Sequence, residues 1–97
     1  MPANISPLSQ VDPAAELGAN VTIGPFCLVG PGVQLGNGTH LDSHVVLTGN
    51  TEIGDNNRFL PHCVIGADPQ DKSYEESDTR LLIGDNNMFR EGVTINR

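Results

Sequence analysis

The sequence predicts an all-β protein wound as a parallel β-helix, a solenoid of short strands, and three observations carry that prediction. An aliphatic or aromatic residue returns at every sixth position from Ile5 through Val11, Leu17, Ile23, Val29, Leu35, Leu41, Leu47, Ile53 and Phe59 to Ile65. The series lapses across residues 67–82 and resumes in the same count at Ile83, Phe89 and Ile95. The residues between these apolar positions recur by six as well. A period of six fits neither the 3.6 of a helix nor the alternation of an isolated strand. It is the hexapeptide signature of a parallel β-helix.

With the apolar residue as position one, each hexapeptide reads as a strand followed by a corner. Position two is glycine at 18, 24, 30, 36, 54, 66 and 84, and position three is proline at 7, 13, 25, 31 and 61. Position four holds Asn20, Gly32, Gly38, His44, Asn50, Asn56, His62, Asp68, Asn86 and Gly92. Proline fixes φ near its turn value, and Gly or Asn tolerates positive φ, so a Pro-then-Gly/Asn pair suits a type II turn. Pro31-Gly32 is the clearest instance. Position five is small or β-branched, as at Ala15, Val21, Cys27, Val33, Thr39, Val45, Thr51, Cys63 and Val93, and packs near the axis with position one.

Three hexapeptides make one triangular coil, so each residue stacks on the one eighteen positions away, at the ordinary strand spacing of about 4.7–4.9 Å. One inward column is Ile5, Ile23, Leu41 and Phe59. A second is Val11, Val29, Leu47 and Ile65, and a third is Leu17, Leu35 and Ile53. With one Tyr, three Phe and no Trp, the chain has no material for a bulky globular core. A solenoid needs none, because each coil buries its apolar edge on its neighbours.

The 97 residues fit one small domain. A formal charge of −7 with only five Lys and Arg argues against a nucleic-acid or anionic-membrane surface. No run of 18 apolar residues and no charged-then-apolar leader occurs, so the sequence predicts no transmembrane segment and a cytoplasmic protein. Cys27 and Cys63 stand 36 residues apart, two coils along one column with Val45 between them. Two coil steps separate their backbones by roughly 9–10 Å, beyond the reach of a disulfide. They are expected to be buried free thiols.

Residues 67–80 break the pattern. They are polar and acidic, and they place Asp71 and Ser77 where the count demands an apolar residue. Such a segment cannot bury a coil edge, so it is expected to project as a loop from a regular scaffold, where function tends to sit. Ile65 and Ile83 are 18 apart, which fits direct stacking; if 6 or 12 residues are looped out, Ile83 falls on another face. Spacing leaves these registers open. A terminal cap would cover the last coil, and none precedes Arg97, so the chain is expected to be truncated.

Six motifs follow one another in this order: Ile23-Gly24-Pro25-Phe26-Cys27, Ser43-His44-Val45-Val46, Asp68-Pro69-Gln70-Asp71, Thr79-Arg80-Leu81, Ile83-Gly84-Asp85-Asn86, and Arg90-Glu91-Gly92-Val93-Thr94-Ile95-Asn96-Arg97. In this order the chain resembles the N-terminal part of the acyl-[acyl-carrier-protein]–UDP-N-acetylglucosamine O-acyltransferases, the first enzymes of lipid A synthesis. The resemblance implies a left-handed parallel β-helix, against the usual right-handed crossover, assembled as a homotrimer with active sites between subunits. It implies transfer of an R-3-hydroxyacyl group from acyl carrier protein to the 3-hydroxyl of UDP-N-acetylglucosamine, with no metal or cofactor. It also implies that residues 1–97 form a single β-helix domain that lacks the catalytic coil and the C-terminal helical domain.

That chemistry asks for a general base to take the sugar hydroxyl proton and a donor to the developing oxyanion. In the family the base is a histidine beyond the Val-Thr-Ile motif, so no catalytic residue is expected in this chain. Substrate recognition carries over at Gln70 and Asp71, whose family counterparts contact the glucosamine, and at Asn96. Two positions depart from the family. Gln70-Asp71-Lys72-Ser73-Tyr74 stands where the family usually has Gln-Asp-Leu-Lys-Tyr, which shifts the lysine by one place. Asn96 stands where histidine is frequent, and asparagine can hydrogen-bond a substrate but cannot carry a proton at neutral pH.

His44 and His62 lie one coil apart at one corner, with backbones about 5 Å apart. A zinc site completed by a neighbouring subunit, as in the gamma-class carbonic anhydrases, is the rival enzymatic reading of this pair. The alternative is that both histidines occupy a corner favouring positive φ, where His is enriched. A non-enzymatic hexapeptide scaffold is the remaining reading.

Overall fold

The computed structural model describes residues 3–67 and 80–96. Strands β1 (Asn4–Ile5), β2 (Gln10–Val11) and β3 (Glu16–Leu17) make a first coil, and β4 (Thr22–Ile23), β5 (Leu28–Val29) and β6 (Val33–Leu35) a second. The third coil is β7 (His40–Leu41), β8 (Val46–Leu47) and β9 (Thr51–Ile53); the fourth is β10 (Arg58–Phe59), β11 (Val64–Ala67) and β12 (Leu81–Ile83). β13 (Met88–Phe89) and β14 (Thr94–Asn96) begin a fifth. No helix occurs among the described residues, and none of them form a segment long and apolar enough to cross a membrane as a helix.

Every strand pairs in parallel with the strand one coil away, giving three sheets ordered β1-β4-β7-β10-β13, β2-β5-β8-β11-β14 and β3-β6-β9-β12. The expected columns are realised: Ile5 lies against Ile23, Ile23 against Leu41 and Leu41 against Phe59. Ile23, Leu41, Phe59, Val29, Leu47, Ile65, Leu35 and Ile53 are buried and form one core with Val21, Val33, Val45, Cys27 and Cys63. At the first coil, Ile5 is 40% exposed, because it has a neighbouring coil on one side only.

The register after the interruption is settled by pairing. Ile83 lies against Ile53, Phe89 against Phe59 and Ile95 against Ile65, each a step of 30 residues. Twelve residues are therefore inserted into an 18-residue coil, and Ile83 does not stack on Ile65. The second column of the core hands over to the third across the insertion, as it does in every other coil.

The corners follow position four in part. Asn20, Gly38, Asn56 and Asn86 share one corner column and all have φ between 56° and 72°. Successive coils are tied there by side chains: Asn37 Oδ1 accepts from the Ala19 amide at 2.8 Å, Asp55 Oδ1 from Asn37 at 2.8 Å, and Asp85 Oδ1 from Asp55 at 2.7 Å. Pro31-Gly32 departs from the type II expectation, since Gly32 does not have positive φ. A Cβ at Gly32 would lie 2.7 Å from the Gly49 carbonyl oxygen, so glycine serves the close approach of two coils there. In the next coil the left-handed residue is Gly49, one place early, with φ of 70°. The third sheet explains this, because β6 and β9 begin at position five and leave the preceding corner a residue shorter.

The buried polar groups are satisfied. Thr39 Oγ1 donates to Gly54 O at 3.0 Å, and Thr51 Oγ1 to Thr48 O at 2.8 Å. Asn57 Nδ2 donates to Gly84 O at 2.7 Å while its Oδ1 accepts from the Asn87 amide at 2.9 Å. Asn57 thus stitches the coil that follows the insertion to the coil that precedes it.

Candidate functional site

The insertion leaves from the corner between the second and third sheets, and the sequence builds its exit from specific parts. Gly66 has φ of 85°, and a Cβ there would run into the Thr48 carbonyl oxygen. Only glycine fits both demands. The ladder between β11 and β14 shifts register between Ile65 and Ala67, which brings Ala67 opposite Asn96. Such a bulge re-aims the chain out of the sheet. On the return side the Leu81 amide donates to Asn50 O at 2.9 Å. Arg80 Nη2 meets Glu52 Oε1 at 2.8 Å, with both side chains about half exposed.

Of the three expected substrate-binding residues, Asn96 is described. It is exposed at the end of β14, beside the point where the insertion departs. Gln70 and Asp71 lie outside the described residues, within the segment that begins directly after Ala67. The structure therefore brings Asn96 to the base of the segment carrying the other two.

The histidine pair is arranged as a stack. Phe26, His44 and His62 occupy one corner column with φ of 61°, 55° and 70°. The Phe26 and His44 ring centroids are 5.1 Å apart, and those of His44 and His62 are 4.8 Å apart with planes inclined by 26°. Imidazole nitrogens bind metals along lone pairs in the ring plane. Two stacked rings present those lone pairs side by side instead of converging on one point. Among the described residues, no group of three or more His, Cys, Asp or Glu is assembled to hold a metal ion. His40 stands elsewhere, on the outer face of the first sheet, where its Nε2 lies 2.9 Å from Asp42 Oδ1 and Arg58 Nη2 approaches the same oxygen at 3.4 Å.

Cys27 and Cys63 are free and buried, as their two-coil spacing requires. Burial pushes both thiols above their ordinary value of 9.0, against the lowering effect of nearby hydrogen bonds. A thiol held neutral in this way is a poor nucleophile.

Two features escaped the sequence reading. The Arg80–Glu52 pair joins residues 28 positions apart, a separation that becomes meaningful only once the length of the insertion is known. Phe26 occupies a left-handed corner that its bulk disfavours, and a position-four preference for Gly, Asn and His gave no signal for it.

Taken together, the fold and this corner define a class: a hexapeptide-repeat β-helix with one twelve-residue excursion flanked by a positive-φ glycine and a surface ion pair. The bacterial transferase hexapeptide (six repeats) family matches over residues 14–49 and 32–67. The chain belongs to that family. Among curated relatives it is 50% identical over 93 residues to an acyl-[acyl-carrier-protein]–UDP-N-acetylglucosamine O-acyltransferase of Xanthomonas euvesicatoria, covering 96% of this chain and 35% of that protein. To the enzyme of the same name from Bartonella bacilliformis it is 47% identical, covering 96% of this chain and 34% of that protein. A solved UDP-N-acetylglucosamine acyltransferase superposes with a TM-score of 0.93 at 39% identity, covering 96% of this chain and 36% of that one. The enzyme of Moraxella catarrhalis gives 0.91 at 42%, with the same coverage. The chain thus spans about a third of the length of the relatives it matches. These neighbours are left-handed β-helices, and a superposition this close requires the same hand here.

Proposed function

We propose that this chain is the nucleotide-sugar-recognising part of an acyltransferase of lipid A biosynthesis. The observation that carries the reading is 47–50% identity across 93 residues, a span that includes the twelve-residue excursion. The relatives are named for acyl carrier protein and UDP-N-acetylglucosamine. In the proposed reaction the sugar 3-hydroxyl attacks the carbonyl carbon of an R-3-hydroxyacyl thioester. The new ester forms as the C–S bond breaks, and the hydroxyl proton ends on the released thiol of the carrier.

Within that reaction Asp71 and Gln70 hold the glucosamine, a carboxylate and an amide suiting its hydroxyls and acetamido group. Asn96 closes the same site from β14. The base and the oxyanion donor come from later coils of the complete enzyme, so this chain alone turns nothing over. The complete enzyme works in the cytoplasm as a homotrimer.

The test is a graft. The chain replaces the matching third of the Xanthomonas euvesicatoria enzyme, and acyl transfer is measured with 3-hydroxyacyl carrier protein and UDP-N-acetylglucosamine. Transfer by the graft, and none by the 97-residue chain alone, supports the reading. A folded but inert graft, beside an active parent, leaves a hexapeptide scaffold as the better account.

A further inference from the structure

The chain contains nine asparagines, and Asn37-Gly38 is the one place where glycine follows. That order is chemically labile. Glycine has no side chain to obstruct its own amide nitrogen, which can approach the side-chain carbon of the preceding asparagine. The Gly38 nitrogen attacks Asn37 Cγ and gives up its proton, the bond from Cγ to the side-chain nitrogen breaks, and ammonia leaves. Water then opens the five-membered succinimide. Addition at Cγ leaves an aspartate; addition at the main-chain carbonyl leaves an isoaspartate, whose backbone runs through the side-chain carbon. Asn37 is exposed, so water has access to it.

The fold holds both reacting groups through one residue of the preceding coil. The Ala19 amide donates to Asn37 Oδ1 at 2.8 Å, and the Gly38 amide donates to Ala19 O at 2.9 Å. The side-chain amide and the attacking nitrogen are therefore both tied to Ala19. A Cβ at Gly18 would run into Asn37 Oδ1, so the asparagine side chain lies close against the end of the first coil. Ring closure requires the Gly38 nitrogen to lose a proton that is engaged and Cγ to swing away from a donor that pins it. Both bonds to the first coil must break. That coil is the least covered part of the described solenoid: it has a neighbour on one side only, and no residue of β1, β2 or β3 is fully buried. A terminal coil contacts only the next one, so it opens without unfolding the remainder.

We propose that Asn37 is a site of spontaneous deamidation gated by the docking of the first coil. The docked coil keeps the amide, and the open coil releases it to the Gly38 nitrogen. The modification therefore records opening. It replaces a neutral amide with a carboxylate, one negative charge beyond the formal −7, in a column that already holds Asp55 and Asp85. The aspartate product keeps the rung, because Asp55 Oδ1 and Asp85 Oδ1 accept the same bond from the coil before them. The isoaspartate product lengthens the backbone of the corner by one carbon and breaks its register. Neither the reaction nor its gate depends on acyl transfer.

Peptide mapping by mass spectrometry follows the reaction in the 97-residue chain at neutral pH and constant temperature, folded and in urea. Asn37 is expected to deamidate in urea, and at least about tenfold more slowly in the folded chain. Leu17→Ala removes first-coil packing beside the clamp and should speed the folded-state reaction about tenfold, whereas Phe89→Ala, at the far end of the described solenoid, should change it less than about twofold. Circular dichroism checks that both variants are folded; where Leu17→Ala is not, Val11→Ala, a smaller truncation in the same coil, takes its place. Equal acceleration by the two end variants would put the reaction in the globally unfolded chain and overturn the gate, as would no acceleration from the first-coil variant. Equal rates for the wild-type chain folded and in urea overturn the clamp, and no deamidation of Asn37 in urea overturns the site. Asn37→Asp should melt within about 2 °C of wild type, and a larger loss overturns the equivalence of the rungs.

Discussion

The stacking of Phe89 on Phe59 supports a double-mutant cycle that tests how the chain re-enters its helix after the insertion. Phe59 is fully buried, between Leu41 below and Phe89 above. The two phenyl rings lie 4.6 Å apart with planes inclined by only 7°. Truncating a buried phenylalanine removes its transfer free energy and leaves a cavity, so Phe59→Ala should cost about 3–5 kcal/mol. Phe89 is half-buried, and Phe89→Ala should cost less, about 1–3 kcal/mol, because part of its surface already meets water. Stacked aromatic pairs contribute about 0.5–1.5 kcal/mol beyond their buried area. The double variant should therefore lose less than the sum of the single losses by about that amount. Where Phe59→Ala leaves too little fold to measure, Phe59→Leu serves in its place. Urea unfolding followed by far-ultraviolet circular dichroism supplies the four free energies. A coupling below about 0.3 kcal/mol, the value for sites without a shared contact, would refute the 30-residue step.

The packing at Gly66 and around the two thiols leads to three further expectations. Gly66→Ala meets both a positive φ and the Thr48 carbonyl, so it should cost about 1–3 kcal/mol, whereas Gly84→Ala, with open space around it, should cost less than about 1 kcal/mol in the same unfolding assay. Cys27 and Cys63 should react with a thiol reagent at the rate of global unfolding, and their reaction at the rate of a free thiol would contradict the packed core. Because burial raises both thiols above 9.0, the stability they give is complete below that pH; above it the unfolded chain's thiols ionise first and favour unfolding. The melting temperature should therefore fall more steeply between about pH 8.5 and 10.5 in the wild-type chain than in a Cys27→Ala/Cys63→Ala variant.

How much of this was legible in the sequence depends on whether a feature repeats. The columns, the corner glycines and asparagines, and the separation of the thiols all recur by six or eighteen, so each position was confirmed by its neighbours. The step across the insertion does not recur. Ile65 and Ile83 happen to stand 18 apart, which imitates a stack that the strand pairing excludes. Pro31-Gly32 departs from a type II turn because a Pro-Gly pair carries turn preference only, whereas the glycine is there for its approach to Gly49. The surroundings of the candidate site were not legible: the pairings of Asn96 with Ala67 and of Arg80 with Glu52 are both set by the insertion's length, which no local pattern encodes.

The central claim is that the excursion recognises the nucleotide sugar, and Asp71→Ala in the graft with the Xanthomonas euvesicatoria enzyme tests it most directly. Steady-state kinetics would be measured separately for UDP-N-acetylglucosamine and for the acyl carrier donor. Loss of a charged hydrogen bond to substrate is worth about 1.5–3 kcal/mol, so KM for the nucleotide sugar should rise by roughly tenfold to a hundredfold. KM for the donor and the melting temperature should stay within about twofold and about 2 °C of the unmodified graft. Unchanged nucleotide-sugar kinetics together with a lowered melting temperature would contradict the claim and make Asp71 a structural residue.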